Sequence, residues 1–260
     1  MNLLSRLFAH GTAEAKQADE ALVPATRGYA VCGAPRTGSN YFCELLSSTG
    51  VLGRPREYFN GAARRVHDDP DYPDDPHAQV ARILTMGATP NGIYGLKLFP
   101  GLFDAVSPHL RLTEVLPSLS FVRLRRRDSL GQAISWVRSM QSRQFRSTET
   151  ATGELRYDGE AIETYLGQAC QRNARWDMYF ARTGIVPVEV VYEEMAVDAQ
   201  AAVDRVSAAL GLAEPARIAA ERVALRVQRD DVSAEWRARF VAERGDPNRM
   251  DSGELLARSL

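Results

Sequence analysis

The stretch Gly28-Tyr-Ala-Val-Cys-Gly33-Ala-Pro-Arg-Thr-Gly38-Ser39-Asn40 decides the fold of this chain. Its first six residues are a short apolar run with β-forming side chains. A turn and then a helix-periodic segment from Asn40 to Thr49 follow them, so the order is strand, loop, helix. The spacing of Gly33 and Gly38 is that of a loop whose backbone N–H groups cradle a phosphate at a helix N-terminus, although a tight connection without a ligand has the same spacing. We therefore predict an anion site directly after the first strand.

This loop lacks the residues that bind the β/γ-phosphates and the Mg²⁺ of a nucleoside triphosphate. In the triphosphate version, Lys and then Ser or Thr follow the second glycine, and they reach the β/γ-phosphates and hold Mg²⁺. Ser39 and Asn40 stand in those two positions here, while Arg36 supplies a positive charge from within the loop. These residues favour a nucleotide with a single 5′-phosphate group and weaken the alternative of a phosphate-loop kinase.

Further apolar runs suit buried strands, and helix-periodic segments separate them. The strands are predicted at 92–99, 119–124 and 185–191, and the helices at 77–88, 128–143, 159–182 and 198–211. This alternation predicts a single α/β domain with a parallel sheet flanked by helices and with ligand sites at the carboxyl ends of the strands. We assign residues 1–27 to an N-terminal extension and 28–260 to the domain. The segments 61–77 and 144–158 are polar and contain Pro or Gly, so they are predicted to be surface loops.

The composition excludes several classes of protein. Lys+Arg 32 against Asp+Glu 33 gives a formal net charge of −1, without the broad cationic field of a general nucleic-acid binder. No stretch approaches the roughly 18 apolar residues of a membrane span. The three cysteines, Cys32, Cys43 and Cys170, are scattered and lack a CxxC pair, which indicates buried thiols in a reducing compartment and no zinc site. We therefore predict a cytoplasmic protein without a metal centre.

A second basic feature follows the third predicted strand. Arg123-Leu-Arg-Arg-Arg127 closes that strand, and a helix begins at Asp128, a good N-cap. Ser135 lies seven residues after Asp128 and returns to nearly the same helix face, where its hydroxyl could join an arginine on one phosphate. Arginines that only reach into solvent are the alternative. Two anion sites on one sheet suggest a nucleotide with separate 5′ and 3′ phosphates.

The two predicted anion sites and the motifs around them resemble those of sulfotransferases that use 3′-phosphoadenosine 5′-phosphosulfate (PAPS). The resemblance is closer to the bacterial trehalose 2-sulfotransferase-like family. Pro35-Arg-Thr-Gly-Ser39 looks like the family's 5′-phosphosulfate loop. The other matches run in order along the chain: Thr49-Gly-Val-x-Gly-x-Pro-x-Glu57-Tyr-Phe59, Pro90-Asn-Gly-Ile-Tyr-Gly-x-Lys97-Leu, Arg126-x-Asp128, Gln132-Ala-Ile-Ser135-Trp136, Pro187-Val-x-Val-x-Tyr192-Glu193 and Gln228-x-Asp230. The resemblance implies a phosphate-loop (P-loop NTPase-like) sulfotransferase fold and transfer of a sulfuryl group from PAPS to a hydroxyl.

The resemblance also implies roles for individual residues. The 5′-phosphosulfate end would be held by Pro35, Arg36, Thr37, Gly38, Ser39 and Asn40. Arg126 and Ser135 would hold the 3′-phosphate, with Arg125 or Arg127 as alternatives to Arg126. Glu57 would replace the catalytic His of animal cytosolic sulfotransferases as the general base, and Arg36 would meet the charge on the leaving phosphate.

Lys97 stands out on its own, because a lysine inside an apolar run is more often directed at an anion than buried and neutral. We place it in the donor-binding set, with the sulfate or the phosphate as the anion. Trp136, Trp176 and Tyr192 fit apolar helix or strand faces, and core packing is their default role.

The acceptor is the least defined part of the prediction. The family pattern has an acid where Arg54 stands here, and its loop after the Glu-aromatic pair is longer than 60–77. Both departures lie where the acceptor would bind, so we expect a hydroxyl of a carbohydrate or glycolipid-type acceptor and question trehalose itself. A homodimer is implied by the resemblance alone. A nucleotide-binding protein that keeps the fold without catalysis is the alternative outside the enzymes.

Overall fold

A computed structural model of the chain describes residues 24–225 and 231–251. The predicted N-terminal extension 1–27 therefore lies mostly outside the described residues, and so do Gln228 and Asp230 of the family pattern. Within the described residues, four strands form one sheet: β1 (Arg27–Cys32), β2 (Ile93–Leu98), β3 (Leu119–Arg125) and β4 (Val188–Val191). The sheet is parallel throughout and has the order β2-β1-β3-β4, which confirms the predicted α/β architecture.

Helices connect and cover these strands. Their bounds in the described residues are α1 (Ser39–Ser48), α2 (Gly61–His67), α3 (Pro76–Met86), α4 (Pro100–Val106), α5 (Leu112–Val115), α6 (Ser129–Ser142), α7 (Gly159–Thr183), α8 (Tyr192–Met195), α9 (Ala199–Ala209) and α10 (Asp231–Arg244). The five helices predicted from periodicity are confirmed as α1, α3, α6, α7 and α9. None of the described helices is long and apolar enough to cross a membrane.

The central strand β1 separates two hydrophobic cores. Ala30 and Cys32 belong to one core, in which Trp176 of α7 also packs. Tyr29 and Val31 point the other way and belong to a second core with helices α1 and α9. Because both faces of the parallel sheet are covered, the carboxyl ends of β1, β2 and β3 form the edge at which ligand-binding loops meet.

Two predictions from composition are wrong in part. The segment 61–77 is not all loop, because Gly61–His67 forms α2, whose N-cap Asn60 accepts a hydrogen bond from Ala63 N at 3.2 Å. Its Arg64 is buried and pairs with Asp68, an anchor that the Asp- and Pro-rich composition does not reveal.

The second prediction that is wrong in part concerns the three cysteines, all of which were expected to be buried. Cys32 and Cys43 are buried as predicted, but Cys170 is exposed, because its position on α7 faces away from the core. Burial raises the pKa of Cys43 to about 12, so this thiol stays protonated at neutral pH.

Candidate functional site

The loop between β1 and α1 is held in place through its carbonyl groups. Gly33 O accepts from the indole of Trp176 at 2.9 Å, and Pro35 O accepts from Gln132 Nε2 at 2.7 Å. The Thr37 hydroxyl donates at 2.8 Å to the carbonyl three residues before it. Helices α6 and α7 thus fix the loop from behind, which confirms Trp176 as a core residue and places Pro35 and Thr37 as supports of the loop.

The first turn of α1 is open to an anion. Its N-cap is Gly38, which has a left-handed φ of 82° and supplies no side-chain hydrogen bond to the N–H groups of the turn. A Cβ on Gly38 would lie 2.7 Å from Tyr192 Cε2, so glycine is required for both conformation and space. Uncapped N–H groups at the positive end of a helix dipole form an anion site.

Arg36 joins the two anion sites that the sequence predicts. Its Nε donates to Ser135 Oγ at 3.1 Å, across 99 residues of sequence, and its Nη1 donates to Phe145 O at 2.8 Å. Arg126 Nη1 in turn donates to Arg36 O at 3.2 Å, and its guanidinium carbon lies 4.9 Å from the centre of the Tyr192 ring. Burial, and then the charge of Arg126, lower the pKa of Arg36. An anion between the two guanidinium groups would relieve that repulsion.

The structure distinguishes the three consecutive arginines after β3. Arg125 pairs with Asp177 at 2.5 Å, and Arg127 pairs with Glu194. Both are therefore directed at carboxylates on other helices or at the protein surface. Arg126 alone of the three lines the cavity next to the loop, which favours it over its two neighbours as the ligand for a phosphate.

That cavity has a volume of about 970 Å³ and lies between the loop, α6, the segment 144–153 and α10. Of the predicted site residues, it is lined by Arg36, Gly38, Ser39, Asn40, Arg126 and Ser135. Among the residues that the structure describes, the charged ones in its lining are Arg36, Arg126, Arg138, Arg146, Arg237 and one acid, Asp128. In the described part of the wall, five guanidinium groups stand against one carboxylate, which suits a ligand with several negative charges.

Glu57 and Lys97 lie beside this cavity rather than in its wall, and they form a pair. Lys97 Nζ is 2.7 Å from Glu57 Oε1 and donates to Asn40 Oδ1 at 2.5 Å. Asn60 Nδ2 donates to Glu57 Oε2 at 3.3 Å. In this structure Lys97 faces the Glu57 carboxylate, and Asn40 connects the pair to the cavity. The predicted contact of Lys97 with a sulfate or phosphate stays a prediction.

The environment keeps Glu57 ionised. Burial by itself would raise the pKa of Glu57, but the charge of Lys97, its hydrogen bond and that of Asn60 together hold this pKa below its usual value. A carboxylate that is ionised at neutral pH can accept a proton from a hydroxyl placed next to it.

Sequence reasoning missed several residues of the site. Arg138 follows Ser135 by three positions and shares its helix face. This spacing alone could have identified Arg138 as a residue of the site. Tyr192 is not confined to the core, because it is half-buried, lines the cavity and contacts Gly38 and Arg126. Arg237 lies on α10, far along the chain, and no local pattern pointed to it.

Comparisons with known proteins identify the family of this chain. Two proteins named trehalose 2-sulfotransferase are each 27% identical to this chain: one from Mycobacterium tuberculosis (strain ATCC 35801 / TMC 107 / Erdman) over 84% of this chain and 96% of the relative, one from Mycolicibacterium smegmatis (strain ATCC 700084 / mc(2)155) over 82% and 93%. A solved sulfotransferase domain from the Synechococcus PCC 7002 olefin synthase is similar at a TM-score of 0.45 and 14% identity, covering 94% of this chain and 92% of that one. The model of the Stf0 sulphotransferase family matches residues 28–243, and the chain therefore belongs to the Stf0 sulphotransferase family.

Proposed function

We propose that this protein transfers a sulfuryl group from PAPS to a hydroxyl of a carbohydrate or glycolipid-type acceptor, with Glu57 as the general base. The observation that carries the proposal is the 3.1 Å hydrogen bond between Arg36 and Ser135. It brings the loop after β1 and the helix after β3 to one cavity, where a nucleotide with both a 5′ and a 3′ phosphate can contact each of them. The names of the two relatives support a carbohydrate acceptor.

The charges of the cavity fit PAPS. A 3′-phosphate carries about −1.5 to −2 at neutral pH, and the phosphosulfate end adds further negative charge. The five arginines of the wall supply the opposite charge, and Arg126 Nε is buried without a hydrogen-bond partner among the described residues. A buried donor without a partner is costly unless a ligand accepts from it.

The residues around the loop suit an in-line transfer. We expect sulfuryl transfer to resemble phosphoryl transfer, with a loose transition state and charge developing on the leaving phosphate. PAPS supplies the sulfuryl group and this phosphate. Arg36 and the open N–H groups of α1 stabilise the developing charge, while Glu57 accepts the proton of the acceptor hydroxyl as the new sulfur–oxygen bond forms.

Lys97 connects the proposed base to the loop. It contacts the Glu57 carboxylate on one side and Asn40 of α1 on the other. Lys97 therefore keeps Glu57 ionised, and thus able to accept a proton, while Asn40 ties Lys97 to the first turn of α1.

The exposed arginines Arg54 and Arg56 precede Glu57 and bear on the choice of acceptor. Arg56 is paired with Asp68 at 2.5 Å. Arg54 has no ion-pair partner among the described residues, so its charge supports testing saccharides that carry a phosphate or carboxylate group beside neutral disaccharides. Formation of a homodimer, which only the resemblance to the family implies, stays a prediction.

The Lys97→Met variant tests the proposed pair through the pH dependence of the reaction. Without the charge of Lys97, burial raises the pKa of Glu57, so the acidic limb of the kcat/KM profile moves to higher pH. Lys97→Arg keeps the charge and should leave the limb close to its wild-type position. The measurement is kcat/KM for the acceptor from acidic to neutral pH. An acidic limb that is the same in Lys97→Met and wild type would show that Lys97 does not set the ionisation of the base.

The proposed function is tested by a transfer assay with ³⁵S-labelled PAPS. The acceptors are trehalose, other disaccharides and the saccharide headgroups of glycolipids, and the readouts are label in the saccharide and release of 3′-phosphoadenosine 5′-phosphate (PAP). We expect both to depend on the acceptor. Magnesium-dependent transfer of phosphate from ATP in a parallel reaction would instead support the kinase. Binding of PAP without transfer to any acceptor would support a non-catalytic nucleotide-binding protein.

A further inference from the structure

One carboxylate in the wall of the cavity holds two arginines. Asp128 caps α6, because its Oδ1 accepts from Gly131 N at 2.9 Å. Its Oδ2 accepts from Arg237 Nη2 at 2.5 Å and lies 3.8 Å from Arg126 Nη2. A guanidinium from the end of β3 and another from α10 are therefore brought to the same wall of the cavity.

Gly131 makes room for this arrangement. A Cβ at this position would collide with Asp128 and would lie 2.8 Å from Arg237 Nη2. Glycine at this position, in the first turn of α6, leaves the space in which Arg237 meets Asp128.

The orientation of α10 is set by its apolar side chains. Trp236 and Phe240 are buried in a core with Ile134 and Val137 of α6. The neighbouring Arg239 pairs with Glu243 on the same helix at 2.8 Å and does not line the cavity. Packing of α10 on α6 therefore directs Arg237, and not Arg239, towards the cavity.

We infer that Arg237 is a further donor-binding residue, which holds the 3′-phosphate together with Arg126 and Ser135, and that Asp128 positions the two guanidinium groups. This inference rests on the proposed function. One carboxylate shared by two guanidinium groups leaves one positive charge in excess, which a phosphate can neutralise. Two forked donors can contact several phosphate oxygens at once.

The arrangement also predicts selectivity. A nucleotide without a 3′-phosphate gains nothing from Arg237. Arg237 should therefore raise the preference of the site for PAP over 5′-AMP rather than its affinity for nucleotides in general.

The test is calorimetric titration of the full chain with PAP and with 5′-AMP. We expect Arg237→Ala to weaken PAP binding by about 10- to 100-fold, because loss of a hydrogen bond to a charged group lowers affinity by about that factor. We expect the same variant to leave 5′-AMP binding unchanged. Arg237→Gln keeps a donor for Asp128 without the charge and should weaken PAP binding in the same direction. The control Arg239→Ala on the same helix should bind both nucleotides as wild type does.

Asp128→Asn keeps the helix cap, because Asn caps helices as well as Asp. For a positioning residue, the ratio of PAP to 5′-AMP affinity should fall in this variant, which loss of helix stability alone would not cause. Wild-type PAP affinity in both Arg237 variants, with PAP binding weakened in Arg126→Ala, would overturn the inference and leave the proposed function standing. Failure of the wild type to prefer PAP over 5′-AMP would overturn both.

Discussion

Glu57→Gln lowers kcat by about 10²- to 10⁴-fold, the range for loss of a general base, and leaves the affinity for PAP unchanged. The amide has nearly the shape of the carboxylate, but it cannot take a proton from the acceptor hydroxyl. The affinity is preserved because Glu57 is not in the wall of the cavity and touches the loop only through Lys97 and Asn40.

The measurement is kcat with saturating PAPS and acceptor, beside a titration with PAP. Glu114→Gln is a matched control, because Glu114 is an exposed carboxylate whose partner is Arg111 at 3.1 Å on the surface. Thermal unfolding of each variant shows whether the unpaired Lys97 has destabilised the fold. A Glu57→Gln variant with wild-type kcat would remove Glu57 from the role of base.

Arg36→Asn lowers kcat/KM for PAPS by at least 10²- to 10³-fold, the loss found when one donor to a developing oxyanion is removed. Arg36 contributes the charge inside the loop, so the 5′ end of the donor site loses a ligand, and Ser135 at the 3′ end loses the hydrogen bond from Arg36. Asn is chosen because Arg36 has a φ of 64°, in the left-handed region that Asn tolerates better than Ala.

The chain offers a matched control for this substitution. Arg143 is also an arginine with a positive φ, 58°, and it does not line the cavity. Arg143→Asn should therefore leave kcat/KM close to wild type. An Arg36→Asn variant as active as Arg143→Asn would contradict the assignment of the loop as the 5′-phosphosulfate site.

The fold around β1 could be predicted because its determinants are local. The apolar run, the spacing of Gly33 and Gly38 and the helical period all lie within a few residues of one another. The choice among the three arginines could not be made in this way. It depends on Asp177 and Glu194, which lie 52 and 67 residues further along the chain and reach the arginines only after α7 and α8 have packed.

The pairing of Glu57 with Lys97 could not be predicted from the sequence either. Each residue was identified separately, but their contact arises because Arg56 forms a parallel bridge with Leu96 and lays its segment beside β2. A single bridge has no periodicity to detect. Arg237 depends in the same way on the packing of α10 against α6, which brings together parts of the chain 109 residues apart.

The most direct test of the account is a calorimetric titration of the wild-type protein and of Arg126→Ala with PAP, beside a titration of the wild type with ATP and magnesium. The account predicts that the wild type binds PAP, that Arg126→Ala loses most of this affinity, and that ATP with magnesium binds far more weakly. Binding of ATP with magnesium in place of PAP would contradict the two-phosphate donor site and with it the proposed sulfuryl transfer.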